Sequence, residues 1–119
     1  MLSLMRQKKE LSVVVDQQGR PTFAKDLAIA TLHLLDNSGI YHFANSTETN
    51  WHAFAEEILK WGKINELPLI CEKVIPIQSH QYPSIAKRPL YSVLDTSKIE
   101  SLLGWKPRSW KDALREINI

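Results

Sequence analysis

Lys87 and Arg88 stand side by side in the segment YPSIAKRP, a cation pair held between Pro83 and Pro89. Proline biases the residue before it away from helical angles, so Tyr82 and Arg88 are expected to be extended and the pair to ride on a loop. A guanidinium donates two parallel hydrogen bonds in a fixed fork, a geometry suited to an anion with paired oxygens. One reading of Arg88 is therefore an anion-facing loop residue. The other is an exposed loop cation, or one paired with Asp95 or Glu72. A second turn-rich loop, DQQGRPT over residues 16–22, repeats the pattern of a cation before a proline. Gly19 there permits positive φ, and Pro21 holds Arg20 extended.

Other chemistry is harder to assemble. The glycines, at positions 19, 39, 62 and 104, are too dispersed for a phosphate-cradling loop. His33, His42, His52 and His80 show no ligand spacing, so packed or surface histidines account for them better than a metal does. Glu56 and Glu57 are adjacent, and neighbours on a helix point in different directions, so they do not form a catalytic acid pair. Cys71 has Glu72 beside it, which disfavours a thiolate, and as the single cysteine it excludes an intramolecular disulfide. Trp51, Trp61, Trp105 and Trp110 could make a base-stacking platform. Trp51 and Trp110 fit apolar helix faces, so core packing is the preferred reading.

The 119 residues carry 15 basic and 13 acidic side chains, a balance that gives no reason to expect nucleic acid. A hydrophobic fraction of 44% with 24% charged residues describes an ordinary globular domain, read as one domain over residues 1–119. No apolar run approaches the ~20 residues of a membrane helix, and MLSLMRQKKEL lacks the apolar core and cleavage site of a signal peptide. No membrane partner and a cytoplasmic location are the expectations.

The elements that would position these loops alternate. Residues 1–7 read as the last turns of a helix with cations following, or as a frayed end. Leu11–Val15 reads as a strand, and helical spacing places a helix over Lys25–Asp36, ended by Asn37-Ser38-Gly39. Ile40–Ala44 reads as a strand buried on both faces. A helix follows with Trp51, Phe54, Ala55 and Ile58 on one stripe, weakened or ended at Gly62. Lys73–Ile77 is a third strand, placed at an edge by Pro76. Ser92–Asp95 reads as a brief strand, Ser97 and Glu100 as a capping box, and Gly104 as a left-handed helix end. Ser109 with Asp112 caps a last helix whose apolar face is Trp110, Ala113, Leu114 and Ile117. The class is α/β, with about three short strands and four to five helices.

The block YPSIAKRPLYSVLDTSKIESLLGWKP resembles the C-terminal signature of the dTDP-4-dehydrorhamnose reductases, members of the extended short-chain dehydrogenase/reductase superfamily. Upstream, VVVDQQGRPTFAKDLA, GIYHFANSTETNWHAFAEEI and VIPIQSHQYP resemble the other late blocks of that family, in order, over roughly residues 11–114. The resemblance implies the C-terminal part of a Rossmann-like enzyme that reduces a 4-keto sugar nucleotide with NADPH. It implies a substrate-binding role for Arg20, Pro21, Thr22, Lys87, Arg88 and Pro89. Arg20 is the weaker of the two arginines, because Asp16, Gln17, Gly19, Pro21 and Thr22 define its block. The superfamily's catalytic Tyr/Lys pair would need a lysine four residues after Tyr41, Tyr82 or Tyr91, and none stands there. Neither catalytic nor cofactor-binding residues are therefore assigned, and the chain alone is expected to be inactive, with NADPH implied only for the complete enzyme. The expected partners are a dTDP-sugar nucleotide, a Rossmann half, and a second copy in a homodimer. The alternative is a non-catalytic interaction module of the kind found among reductase-like regulatory subunits.

Overall fold

The computed structural model describes residues 1–117. In chain order the elements are α1 (Leu2–Met5), β1 (Glu10–Val14), β2 (Gln18–Gly19), α2 (Ala24–Leu32), β3 (Thr49–Asn50), α3 (Trp51–Ile64), β4 (Lys73–Ile77), α4 (Ser97–Leu103) and α5 (Trp110–Arg115). A single 3-10 turn, Ser79–Gln81, follows β4. The chain divides into two units, one of residues 1–19 and 49–92, the other of residues 20–48 and those from 93 onward.

In the first unit, the β-branched residues of β1 and β4 form a parallel pair running from Glu10 opposite Lys73 to Val14 opposite Ile77. Parallel strands need a crossover, and α3 provides it by packing on both. Of its expected stripe, Ala55 and Ile58 are buried and Phe54 is half-buried, and Leu59 and Trp61 join them in the core with Met5 and Leu11. Asn50 caps α3, its side-chain oxygen accepting from the Ala53 amide at 2.8 Å. Two expectations change here. Trp51 is 50% exposed, because it opens the helix at the mouth of a groove and does not lie over the core. Gly62 does not end the helix; it is buried, and a Cβ there would stand 2.6 Å from Leu69 Cδ1, so the glycine lets the returning chain approach. Pro76 lies opposite Val13 in a two-stranded sheet, consistent with an edge. The second ladder, β2 with β3, is antiparallel and pairs Gln18 with Asn50 and Gly19 with Thr49.

In the second unit, Ala30, Phe43 and Ile99 make a small core with Leu34, Tyr41 and Leu103 against it. The segment expected as a strand, Ile40–Ala44, pairs in no ladder among the described residues. Its burial rises along the chain, from Ile40 at 78% exposed to Phe43 and Ala44, both buried. Ser92–Asp95 likewise forms no strand; Tyr91 alone bridges Gln18. The α2 helix stops at Leu32 rather than Asp36, with residues 33–36 in turns. The capping box expected at Ser97 and Glu100 does not form, and the N-cap, one residue earlier, makes no side-chain cap bond. Thr96 is the N-cap, its hydroxyl 2.6 Å from Glu100 Oε1, and Asp95 accepts from the Ser97 amide at 2.9 Å. Gly104 ends α4 in the left-handed region, and Ser109 caps α5, both as expected.

Asn45, fully buried, joins three segments of this unit. Its Oδ1 accepts from the Phe23 amide at 2.7 Å, and its Nδ2 donates to Asp26 Oδ2 at 2.6 Å and to the Arg108 carbonyl at 3.2 Å. The Arg108 guanidinium grips Asp26 in a fork, at 2.9 and 2.8 Å, and also reaches Glu116. Burial alone would raise the Asp26 pKa, but the hydrogen bonds from Arg108 and Asn45 win and hold it below its ordinary value.

Asn45→Ala leaves the Phe23 amide without its buried acceptor and is expected to cost about 2 kcal/mol, read as a lowered midpoint in urea. Because the folded-state pKa of Asp26 is depressed, its contribution is complete above the ordinary carboxylate value of 3.8 and is lost as pH falls below it. Asp26→Asn should flatten that acid limb in a pH series of melts; an unchanged limb would remove Asp26 as its source.

Candidate functional site

β1 and β4 end together, and two residues beyond each carboxyl end stand Asp16 and Ser79. Ser79 donates its amide to Asp16 at 3.1 and 3.0 Å and its hydroxyl to Asp16 Oδ1 at 2.6 Å. These bonds, the hydroxyl's first, hold the Asp16 carboxyl below its ordinary pKa, and the nearby His80 pulls slightly in the same direction. The carboxylate is thus an anchor for the chain after β4, with its oxygens already engaged. Gln17 Nε2 donates to Ser79 Oγ at 3.0 Å.

These residues help to line a groove of about 1080 Å³, to which Trp51 and the segment carrying Lys87, Arg88 and Pro89 also contribute. Backbone bonds fix that segment. The Gln18 amide donates to the Leu90 carbonyl at 2.7 Å, and the Ser92 amide and hydroxyl both donate to the Gln18 carbonyl at 3.0 Å. Gly19 suits this junction, since a Cβ there would meet Ser92 Oγ at 3.3 Å. Sites at the carboxyl ends of parallel strands recur in α/β proteins because the strands end together there and leave a crevice.

The six residues singled out for binding fall into two groups. Lys87, Arg88 and Pro89 belong to the first unit and line the groove; all three are exposed, and among the described residues neither cation makes an ion pair. Neither partner considered for Arg88 engages it, for Glu72 pairs with Lys9 at 3.9 Å and Asp95 caps Ser97. Arg20, Pro21 and Thr22 belong to the second unit. Arg20 is held there, its Nη2 3.6 Å from Glu48 and its Nη1 within 3.4 Å of Thr96 Oγ1 and 3.5 Å of the Leu94 carbonyl. The site residues that sequence reasoning passed over are Asp16, Gln17, Ser79 and Trp51. The first two sat in the recognised DQQGRPT block, and the aromatic reading of Trp51 yielded to helix periodicity. Elsewhere the bland readings stand. His52 reaches the Val74 carbonyl and Glu56, and Cys71 is buried beside the Lys73 carbonyl. Among the described residues no cluster of His, Cys, Asp and Glu could hold a metal, and no helix is long and apolar enough to cross a membrane.

The family described as RmlD substrate binding domain matches residues 1–118. This chain belongs to that family. A dTDP-4-dehydrorhamnose reductase from Burkholderia thailandensis is 32% identical over 127 residues, covering 96% of this chain and 43% of the relative. The spore coat polysaccharide biosynthesis protein SpsK of Bacillus subtilis is 39% identical over 117 residues, covering 98% and 39%. A crystal structure of a dTDP-4-dehydrorhamnose reductase from Clostridium acetobutylicum superposes with a TM-score of 0.82 at 34% identity, over 96% of this chain and 39% of that one. The substrate-binding-domain chain thus spans about two fifths of the curated relatives it matches.

Asp16→Asn weakens the acceptor that holds Ser79. The Ser79 amide is expected to exchange with deuterium faster, while amides in the middle of α3 keep their protection. Equal loss at both places would mean that Asp16 supports the whole unit and not this corner.

Proposed function

We propose that residues 1–119 act as one substrate-binding domain for a dTDP-sugar nucleotide, within the NADPH-dependent reduction of dTDP-4-dehydro-L-rhamnose. The observation that carries this is a pair of cations, Lys87 and Arg88, which make no ion pair among the described residues and line a groove at the carboxyl ends of β1 and β4. A diphosphate brings the charge those cations lack, and the fork of Arg88 matches its oxygens. Pro89 keeps Arg88 extended over the groove. Arg20 serves in a supporting way, through its hold on Glu48 and Thr96, with Pro21 and Thr22 continuing the same loop.

NADPH finds no cradle among these residues. Gly19 and Gly62 are occupied by close contacts with Ser92 and Leu69, Gly104 ends a helix, and Gly39 turns beside Lys98 and Tyr41. We therefore place the hydride donor on a Rossmann half outside these residues, so that the 119 residues bind but do not reduce. A homodimer and a cytoplasmic setting belong to the same proposal. The exposed Leu27, Leu32, Leu35 and Ile40 favour a partner surface over water.

Calorimetric titration with dTDP is expected to give saturable binding, and Arg88→Ala to weaken it roughly tenfold, the scale of one charge-assisted contact. Raising salt should weaken the wild type more than the variant. Identical affinities would take Arg88 out of the site, and no heat at all would favour the non-catalytic interaction module.

A further inference from the structure

The segment that carries Lys87 and Arg88 is tied down at its two ends. At the first, the Tyr82 amide donates to the Ser79 carbonyl at 3.1 Å, and Ser79 is itself held by Asp16. At the second, the Leu90 carbonyl accepts from the Gln18 amide at 2.7 Å. Both anchors therefore trace back to the short stretch 16–18. Between them the backbone is free: among the described residues, no backbone-to-backbone hydrogen bond involves residues 83–89. The Ser84 hydroxyl bonds inside the segment, donating to the Ala86 carbonyl at 2.9 Å. At its middle stands Ile85, which borders the groove yet leaves its whole side chain in water, at 110% exposure. Trp51, which borders the same groove, is 50% exposed.

We propose that residues 83–89 are a strap that closes over the nucleotide bound at Lys87 and Arg88, with Ile85 as its apolar underside. The inference rests on the sugar-nucleotide reading of the groove and adds how the ligand is retained. Closing over an empty groove would take two adjacent like charges out of water with no anion to meet them, so the free strap stays open. A bound diphosphate supplies the missing charge. The strap can then turn inward about its two anchors, and Ile85 leaves water for the covered face of the ligand. Few bonds have to break for this, since the interior of the strap makes none to the rest of the backbone. Segments that move on binding are drawn from such weakly held parts of a fold, and a closed lid slows release. The cations capture the ligand, and the isoleucine keeps it.

The test is amide exchange, read by quench flow, on this chain alone and saturated with dTDP, for wild type, Ile85→Ser and Ile85→Leu. Dissociation rates for dTDP are measured by stopped flow on the same three proteins. A side chain wholly in water leaves the fold intact when changed, and thermal melts would confirm it. On saturation, the amides of Ser84, Ile85 and Ala86 are expected to slow at least tenfold in wild type and Ile85→Leu, and to stay fast in Ile85→Ser. Dissociation should be about tenfold faster in Ile85→Ser, the scale of one aliphatic side chain losing its cover, with the association rate little changed. If dTDP binds while these wild-type amides exchange as before, or if Ile85→Ser releases it at the wild-type rate, the strap is overturned and the nucleotide site stands. Absence of binding by wild type overturns both.

Discussion

Ser79 hands two protons to a single carboxylate, and the local geometry of the groove follows from where they go. Hydrogen bonds to an ionised acceptor are about twice as strong as neutral ones, so Asp16 is a firm anchor for the chain leaving β4. The strand ends are thereby tied side by side, which keeps the crevice beyond them in shape. The hydroxyl proton, once committed, leaves the Ser79 oxygen able only to accept. That constraint passes to Gln17 and from there to the groove surface.

The arginines show how the same side chain is spent in two ways. Arg108 gives its fork to Asp26 and reaches Glu116, and Asn45 ties Asp26 to the backbone of two further segments. Arg20 is similarly engaged by Glu48 and Thr96, though at longer distances. Among the described residues Arg88 has no such company, and the prolines around it keep the chain extended. A guanidinium with carboxylates on every side has little to offer an incoming anion. One that borders a groove without a protein partner still has its whole donor set.

Much of this was readable in the chain. The helix stop at Gly104 and the cap at Ser109 were legible because they depend on a few neighbouring residues. β1 and β4 were legible because β-branched runs have few other uses. Ile40–Ala44 misled because an apolar run records burial but not whether a partner strand is present. Trp51 misled because helical periodicity tells which face a residue shares, and the first residue of a helix can point past the core. Gly62 looked like a stop and proved to be a contact, a difference fixed by Leu69 and Leu67, seven and five residues later. The groove loops were visible as motifs, whereas the Asp16–Ser79 bond joins residues 63 positions apart, which no local pattern reports.

Gly19 and Thr49 face one another across the short β2–β3 ladder, so residues 20–48 depart from the first unit and rejoin it at one rung. That neck has a kinetic meaning. The parallel pairing of Glu10 with Lys73 closes a very long loop, and distant closures are slow because chain entropy is surrendered before any contact is made. Zipping the neck first takes the intervening excursion out of the search, leaving β4 to find β1 across a much shorter path. A two-rung ladder too small to matter for equilibrium stability can in this way set the order in which the unit assembles.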